Sequence, residues 1–301
     1  MFPPRMATSL NHGKRTGPPR WAGAAGPELR TTAPFALAAR RLARIRAWSI
    51  AAVSLSLLAQ LAGAQTNLVV LRSGGQQTPL LELFTSEGCS SCPPAETWLS
   101  RLKQSPGLWK DVVPVAFHVD YWNQLGWRDP WSERSFSFRQ RDYAQLWRTD
   151  GVYTPGFVFN GFEWRGWSAA AKLPRWTGGA TGVLTASSAD RSHWRVSFRP
   201  SATPAWEYQI NAALLANGLV SDVQAGENRG RLLRHDFVAL ELVSLTLTNQ
   251  NGTYLGEFAV APPSWADTNR LALAAWVALS GQHTPLQAVG GWLGPATARS
   301  R

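Results

Sequence analysis

The sequence predicts an α/β domain, made of a βαβ unit and a following β-hairpin, joined to a β-rich antiparallel C-terminal region. Three observations carry this expectation. Two short apolar runs, Leu80–Ser86 and Val112–Asp120, enclose a stretch of helical spacing, as parallel strands covered on both faces would. Asn160-Gly161 separates two alternating apolar segments, which is the strongest short-range hairpin signal. Beyond Gly178-Gly179 the helical period gives way to short alternating runs with turn residues between them.

The N-terminal stretch differs in kind from the rest. Of 301 residues, 30 are Lys or Arg and 19 are Asp or Glu, for a net charge of +11, yet residues 1–64 hold nine of the basic residues and a single acid. The remaining chain is close to neutral, and its Arg residues are scattered, so no nucleic-acid partner is expected. From Arg40 to Ala64 a four-Arg segment, an apolar stretch near Ala47–Leu61 and Ala62-Gly63-Ala64 have the layout of a secretory signal peptide, with cleavage expected near Ala64-Gln65. That apolar stretch is shorter than the ~20 residues needed to span a bilayer, so no stable membrane insertion is expected after cleavage. The expected location is periplasmic or secreted, an oxidising space in which a cysteine pair persists as a disulfide. The organisation read from this is a leader at 1–64, the α/β domain at 65–178 and the β-rich region at 179–301.

Within the α/β domain, Leu80–Ser86 leads directly into Glu87-Gly88-Cys89-Ser90-Ser91-Cys92-Pro93-Pro94. Proline is tolerated in the first helical turn, where its missing N–H costs nothing, so the two prolines mark a helix start, and Ala95, Trp98, Leu99 and Leu102 supply its apolar stripe. The second strand, Val112–Asp120, is followed by a Trp-rich loop. Asp129 as N-cap and Pro130 as first helical residue then predict a helix to Trp147. Further on, the runs near His193–Phe198, Trp206–Ala216, Val238–Thr248, Tyr254–Val260 and Leu271–Leu279 predict an antiparallel sheet or small sandwich.

Cys-x-x-Cys at a strand-to-helix junction is the one chemically specific signal, and these are the only two cysteines. The spacing permits a Cys89–Cys92 disulfide in the first helical turn. There the helix dipole and free backbone N–H groups favour a thiolate, which makes Cys89 the attacking residue and Cys92 the resolving one. Glu87 opposes this through its negative charge. Two alternatives stand beside redox chemistry: a purely structural disulfide, and Cu(I) capture by both thiolates with His118. His118 and Asp120 share a strand face at the C-terminal edge of the sheet and are candidate auxiliary residues for proton relay or substrate contact. Gly226–Gly230, with Glu227-Asn228-Arg229, suits a tight loop that docks the β-rich region onto the α/β domain. His193 and His235 lack companions at ligand spacing and read as surface or strand residues. No phosphate loop, nucleophile elbow or zinc-protease pattern occurs, so no cofactor and no dedicated metal site are expected.

The strand, the Cys-x-x-Cys and Thr154-Pro155 before the hairpin resemble the thioredoxin-like superfamily. That resemblance implies a cis Pro155 facing the dithiol and a role for Thr154 and Pro155 in substrate binding. More narrowly, Glu82–Glu96, Phe117–Ser132, Val152–Pro155 and Gly226–His235 resemble exported bacterial proteins grouped as domain of unknown function 1223. The superfamily implies a thiol–disulfide oxidoreductase whose partners are protein or peptide thiols and disulfides and a further redox protein. Glu82 precedes Cys89 by seven residues rather than the six of the thioredoxin acid, which puts it on the wrong strand face to assist proton transfer.

Overall fold

The structure, a computed structural model, describes residues 68–202 and 206–294. The expected leader, signal peptide and cleavage near Ala64-Gln65 lie outside the described residues.

The first strand, β1 (Val69–Arg72), pairs with a strand from the second half of the chain, β6 (Gly182–Ser188). β2 (Leu80–Thr85) is buried throughout, as its unbroken apolar run requires. A turn bearing both cysteines leads from β2 into α1 (Pro93–Ser100), with the two prolines in its first turn. After a short 3-10 segment, β3 (Val113–His118) returns parallel to β2, in register from Leu80 opposite Val113 to Thr85 opposite His118. The next helix, α2 (Arg134–Trp147), begins four residues later than the Asp129-Pro130 pair predicts. Asp129 still bonds locally, accepting from the Trp131 backbone N–H at 2.9 Å, but in a turn ahead of the helix; Glu133 is the N-cap and makes no side-chain capping bond. β4 (Gly156–Phe159) runs antiparallel to β2, and β5 (Phe162–Glu163) completes the expected hairpin. Its turn holds Asn160 at φ 49° and Gly161 at φ 87°, the left-handed pair that a tight hairpin demands.

The second half is antiparallel, as expected: β7 (His193–Pro200), β8 (Tyr208–Ala216), β9 (Leu219–Asp222), β10 (Leu232–His235) and β11 (Val238–Thr246) are followed by β12 (Thr248–Gln250), β13 (Thr253–Ala259), β14 (Leu271–Leu279) and β15 (Gln287–Trp292). These strands do not close on themselves. Four of them continue the first sheet, giving the order β15-β14-β8-β11-β3-β2-β4-β5, while β1-β6-β7-β13-β12 form a second sheet and β10-β9 a ribbon. The join between halves is a parallel bridge of Val238 to Ala116, beside a 2.8 Å bond from the Ala116 N–H to the Phe237 carbonyl. One sheet therefore crosses the 178/179 boundary.

Two cores follow from this layering. One packs α1 and α2 on either side of β2 and β3, with Phe84, Phe117, Phe136, Tyr143 and Trp98 at its centre. The other lies between the two sheets and is built from Trp194, Phe198, Ile210, Leu214 and Val277. Gln287, fully buried, links these layers: it accepts from the Thr78 N–H and donates to the carbonyls of Gly74, Gln76 and Gly182.

Candidate functional site

Cys89 and Cys92 are disulfide-paired, with Cα atoms 5.5 Å apart, at the C-terminal end of β2. The turn is held by local bonds, Cys89 N–H to the Ser86 carbonyl and Cys92 N–H to the Cys89 carbonyl, each 3.2 Å. Cys89 Sγ lies 3.3 Å from Ser91 Oγ and 3.8 Å from the Thr154 carbonyl oxygen, immediately before the cis Thr154-Pro155 bond. The free N–H groups expected around the sulfurs are fewer than a bare helix start would offer. Pro93 and Pro94 have none, and the next two, on Ala95 and Glu96, both bond the Cys92 carbonyl.

Both sulfurs are covered: Cys89 is 1% exposed and Cys92 0%. The Gly226–Gly230 loop docks on their turn. Asn228, itself buried, donates from one Nδ2 to the carbonyls of Glu87 (2.8 Å) and Cys89 (2.9 Å), and Glu227 Oε2 accepts from the Ser90 N–H at 2.9 Å. Gly226 and Gly230, at φ 75° and 77°, give the loop the left-handed corners it needs.

Beneath the turn lies a chain of buried charged groups that the sequence does not announce. His235, at the end of β10, bonds Glu96 of α1 through Nδ1 and approaches Glu87 Oε1 to 3.0 Å through Nε2. Glu96 also accepts from Thr85 Oγ1 at 2.6 Å. His118 Nδ1 meets Asp129 Oδ2 at 2.8 Å, and the same carboxylate oxygen accepts from the Glu87 backbone N–H at 2.8 Å. The two imidazoles meet edge to face, 5.1 Å between centroids. Burial alone would lower the His235 pKa, but Glu96 and Glu87 on either side overcome it and push it up to about 10. His118 is likewise raised: burial disfavours its charge, and Asp129 together with Glu96 outweighs burial. Burial pushes the Glu96 and Asp129 carboxyls up, and the neighbouring imidazoles more than offset this, holding both below their ordinary values.

The predicted residues divide among these features. The Thr154 carbonyl faces Cys89 Sγ beside the cis bond to Pro155, and Glu87 lies in the buried network, where His235 answers its charge. His118 also lies in the network, whereas Asp120 turns to α2, receiving the Ser137 hydroxyl. His118 and Asp120 thus serve different faces, because the chain leaves β3 between them. The Trp loop ties elements together rather than forming an open platform. Trp122 Nε1 donates to Thr154 Oγ1 (2.8 Å), Trp127 Nε1 to Glu87 Oε2 (2.7 Å) and Trp131 Nε1 to Ser221 Oγ (3.2 Å). Glu82 sits on the opposite face, bound by Arg139 at 2.6 Å and by the Tyr143 hydroxyl at 2.5 Å. His193 is an exposed strand residue, as expected, but His235 is 1% exposed and central. Its neighbour at i−2, Leu233, is buried on the same strand face, which is the one signal in the sequence that His235 points inward.

Among the described residues no helix is long and apolar enough to cross a membrane. A family described as protein of unknown function DUF1223 matches residues 80–278. No curated protein matches the chain. A solved protein from Agrobacterium tumefaciens is similar over 76% of this chain and 100% of its own, at 21% identity and a TM-score of 0.53, which gives the two a common fold. HBP35 of Porphyromonas gingivalis is similar over 76% of this chain and 80% of its own, at 15% identity and a TM-score of 0.49.

Proposed function

The chain belongs to the DUF1223 family of unknown function, and we propose that it is an exported thiol–disulfide oxidoreductase of thioredoxin-like architecture, acting on protein or peptide substrates through Cys89 and Cys92. The observation that carries this reading is the 3.8 Å approach of Cys89 Sγ to the Thr154 carbonyl at the cis Pro155 corner. A substrate backbone laid along that corner would bring its own sulfur to Cys89. In the reduced protein the Cys89 thiolate attacks one sulfur of a substrate disulfide, and the other sulfur leaves as a thiolate that takes up a proton. Cys92 then attacks Cys89 in the mixed disulfide, releasing the second substrate thiol and restoring the Cys89–Cys92 bond, so two electrons and two protons pass to the substrate. Run backwards, the same steps oxidise a substrate dithiol. The Ser91 hydroxyl at 3.3 Å supports a thiolate on Cys89, and His235 answers the opposing charge of Glu87. The leader at residues 1–64 supports a periplasmic or secreted location.

The burial of both sulfurs favours a second reading, a structural disulfide under a permanent cover. Two measurements separate them. The Cys92→Ser variant is expected to accumulate mixed disulfides with cellular proteins through Cys89, and the wild-type pair to reach a reversible equilibrium with glutathione. A variant that traps nothing, with a pair that shows no reversible equilibrium, leaves only the structural role.

A further inference from the structure

We infer that Glu96, His118 and His235 form a binding site for a divalent transition-metal ion, with zinc as the best-matched candidate. The site is separate from the cysteines and stands or falls without the redox reading. The three side chains come from α1, β3 and β10, all are buried, and one ligating atom from each lies within 4.8 Å of the other two.

The outer contacts make this more than a cluster of charges. A metal-binding histidine commonly gives its second ring nitrogen to a carboxylate, which fixes the ring and the nitrogen left for the metal. His118 has this arrangement: Nδ1 is held by Asp129, and Nε2 is buried with no hydrogen-bond partner. In His235, Nδ1 is turned to Glu96, and Glu87 Oε1 lies 3.0 Å from Nε2 as an ion-pair neighbour outside hydrogen-bond geometry. Glu96 spends Oε1 on the Thr85 hydroxyl and turns Oε2 to His235. His118 and Glu96 therefore each have one atom held by an outer partner and one aimed inward, and His235 turns Nδ1 inward beside the charge of Glu87.

The chemistry of the donors sets the ion. Two imidazoles and a carboxylate suit zinc and its first-row neighbours, and no thiolate is present to select Cu(I). Tetrahedral zinc with ligands at about 2.0–2.2 Å places them roughly 3.3 Å apart, so closure from the observed spacing needs side-chain movements on the order of 1 Å. Three carboxylates, Glu87, Glu96 and Asp129, are buried around two imidazoles, so a dication can take over the positive charge that two imidazolium rings otherwise supply. On binding, each imidazole that holds a proton on its inward nitrogen releases it, and the metal takes that position. Such an ion would cross-link α1 and β3 to β10, joining the two halves of the chain at their buried seam.

The test uses the full mature chain, treated with a chelator, desalted and kept oxidised so that the thiols are unavailable. Zinc is titrated in competition with a chromophoric chelator, and Co²⁺ serves as a spectroscopic probe. The expected results are one ion per chain, visible Co²⁺ bands of a nitrogen and oxygen site without a thiolate charge-transfer band, and the same binding in the Cys89→Ser/Cys92→Ser variant. His118→Ala should abolish it. Asp129→Asn, which keeps the shape of the outer partner, should weaken it by about 10–100-fold, so that a misfolded His118→Ala does not leave the question open. Failure of the folded, oxidised protein to take up one zinc or cobalt, or uptake unchanged in Asp129→Asn and His118→Ala, overturns the inference.

Discussion

Replacing Asn228 by Ala should turn the covered disulfide into a reactive one. The side-chain amide donates two hydrogen bonds, to the Glu87 and Cys89 carbonyls, and its removal leaves both acceptors under a loop that still shields them from water. Each lost bond costs about 1 kcal/mol net, and more where the acceptor stays buried, so the closed state loses about 2–3 kcal/mol. At 1.4 kcal/mol per decade, the open population rises by roughly 30–150-fold. Where opening is fast relative to attack, the rate of reduction by dithiothreitol rises by the same factor. The assay is time-resolved reduction with alkylation of the freed thiols, read by mass. Gln287→Ala provides the control, since it also removes several buried hydrogen bonds but none to the cysteine turn. If Asn228→Ala is reduced no faster than wild type, or no faster than the Gln287→Ala variant at matched stability, the loop does not gate the sulfurs.

Two other outcomes follow from the buried charges. Glu82→Gln leaves Arg139 buried without its carboxylate and should cost about 3–5 kcal/mol in urea unfolding, while the reduction potential of the cysteine pair stays unchanged because Glu82 lies on the α2 face. A shift in potential without loss of stability would place Glu82 in the redox chemistry after all. In chelator-treated protein, His235 has a folded pKa of about 10 against an ordinary value of 6.5, so its contribution is complete below pH 6.5 and is lost as pH rises toward 10. Glu96 and Asp129, held below 4.5 and 3.8, contribute above those values and lose their contribution as pH falls through their folded pKa values. Unfolding free energies measured across this range should therefore fall on both sides; a flat profile from pH 6.5 to 10 refutes the paired imidazolium.

Features that rest on near neighbours could be read in advance. Leu80–Thr85 is a strand because six successive residues are buried, Pro93-Pro94 opens a helix because proline suits its first turn, and Asn160-Gly161 turns a hairpin because both residues accept positive φ. Asp129 shows the limit of local rules. Its carboxylate does bond a backbone N–H two residues on, yet His118 and the Glu87 N–H draw the same group into the interior, and the helix begins later, at Arg134. The buried network was illegible for a related reason. His235 meets Glu96 across 139 positions, and no periodicity in either segment encodes the other. Glu96 did carry a faint mark, an acid beside Ala95 and three residues before Leu99 on the stripe that α1 buries. The join of the two halves through Val238 and Ala116 is likewise a long-range fact, and it explains why residues 179–294 do not form a self-contained sandwich.

The cover over the cysteines also sets local contacts apart from distant ones. Ser86, Cys89 and Cys92 complete their turn with partners three residues away, so the pair is ready for oxidation while the chain is still short of its final shape. Asn228 reaches that turn across 139 and 141 residues, so its seating carries a loop-closure cost that the local turn does not. In the folded chain the sulfurs are buried, and they are reached only when the covering loop opens. The seating of one asparagine thus divides a turn that a few residues complete from a cover that only the folded chain supplies.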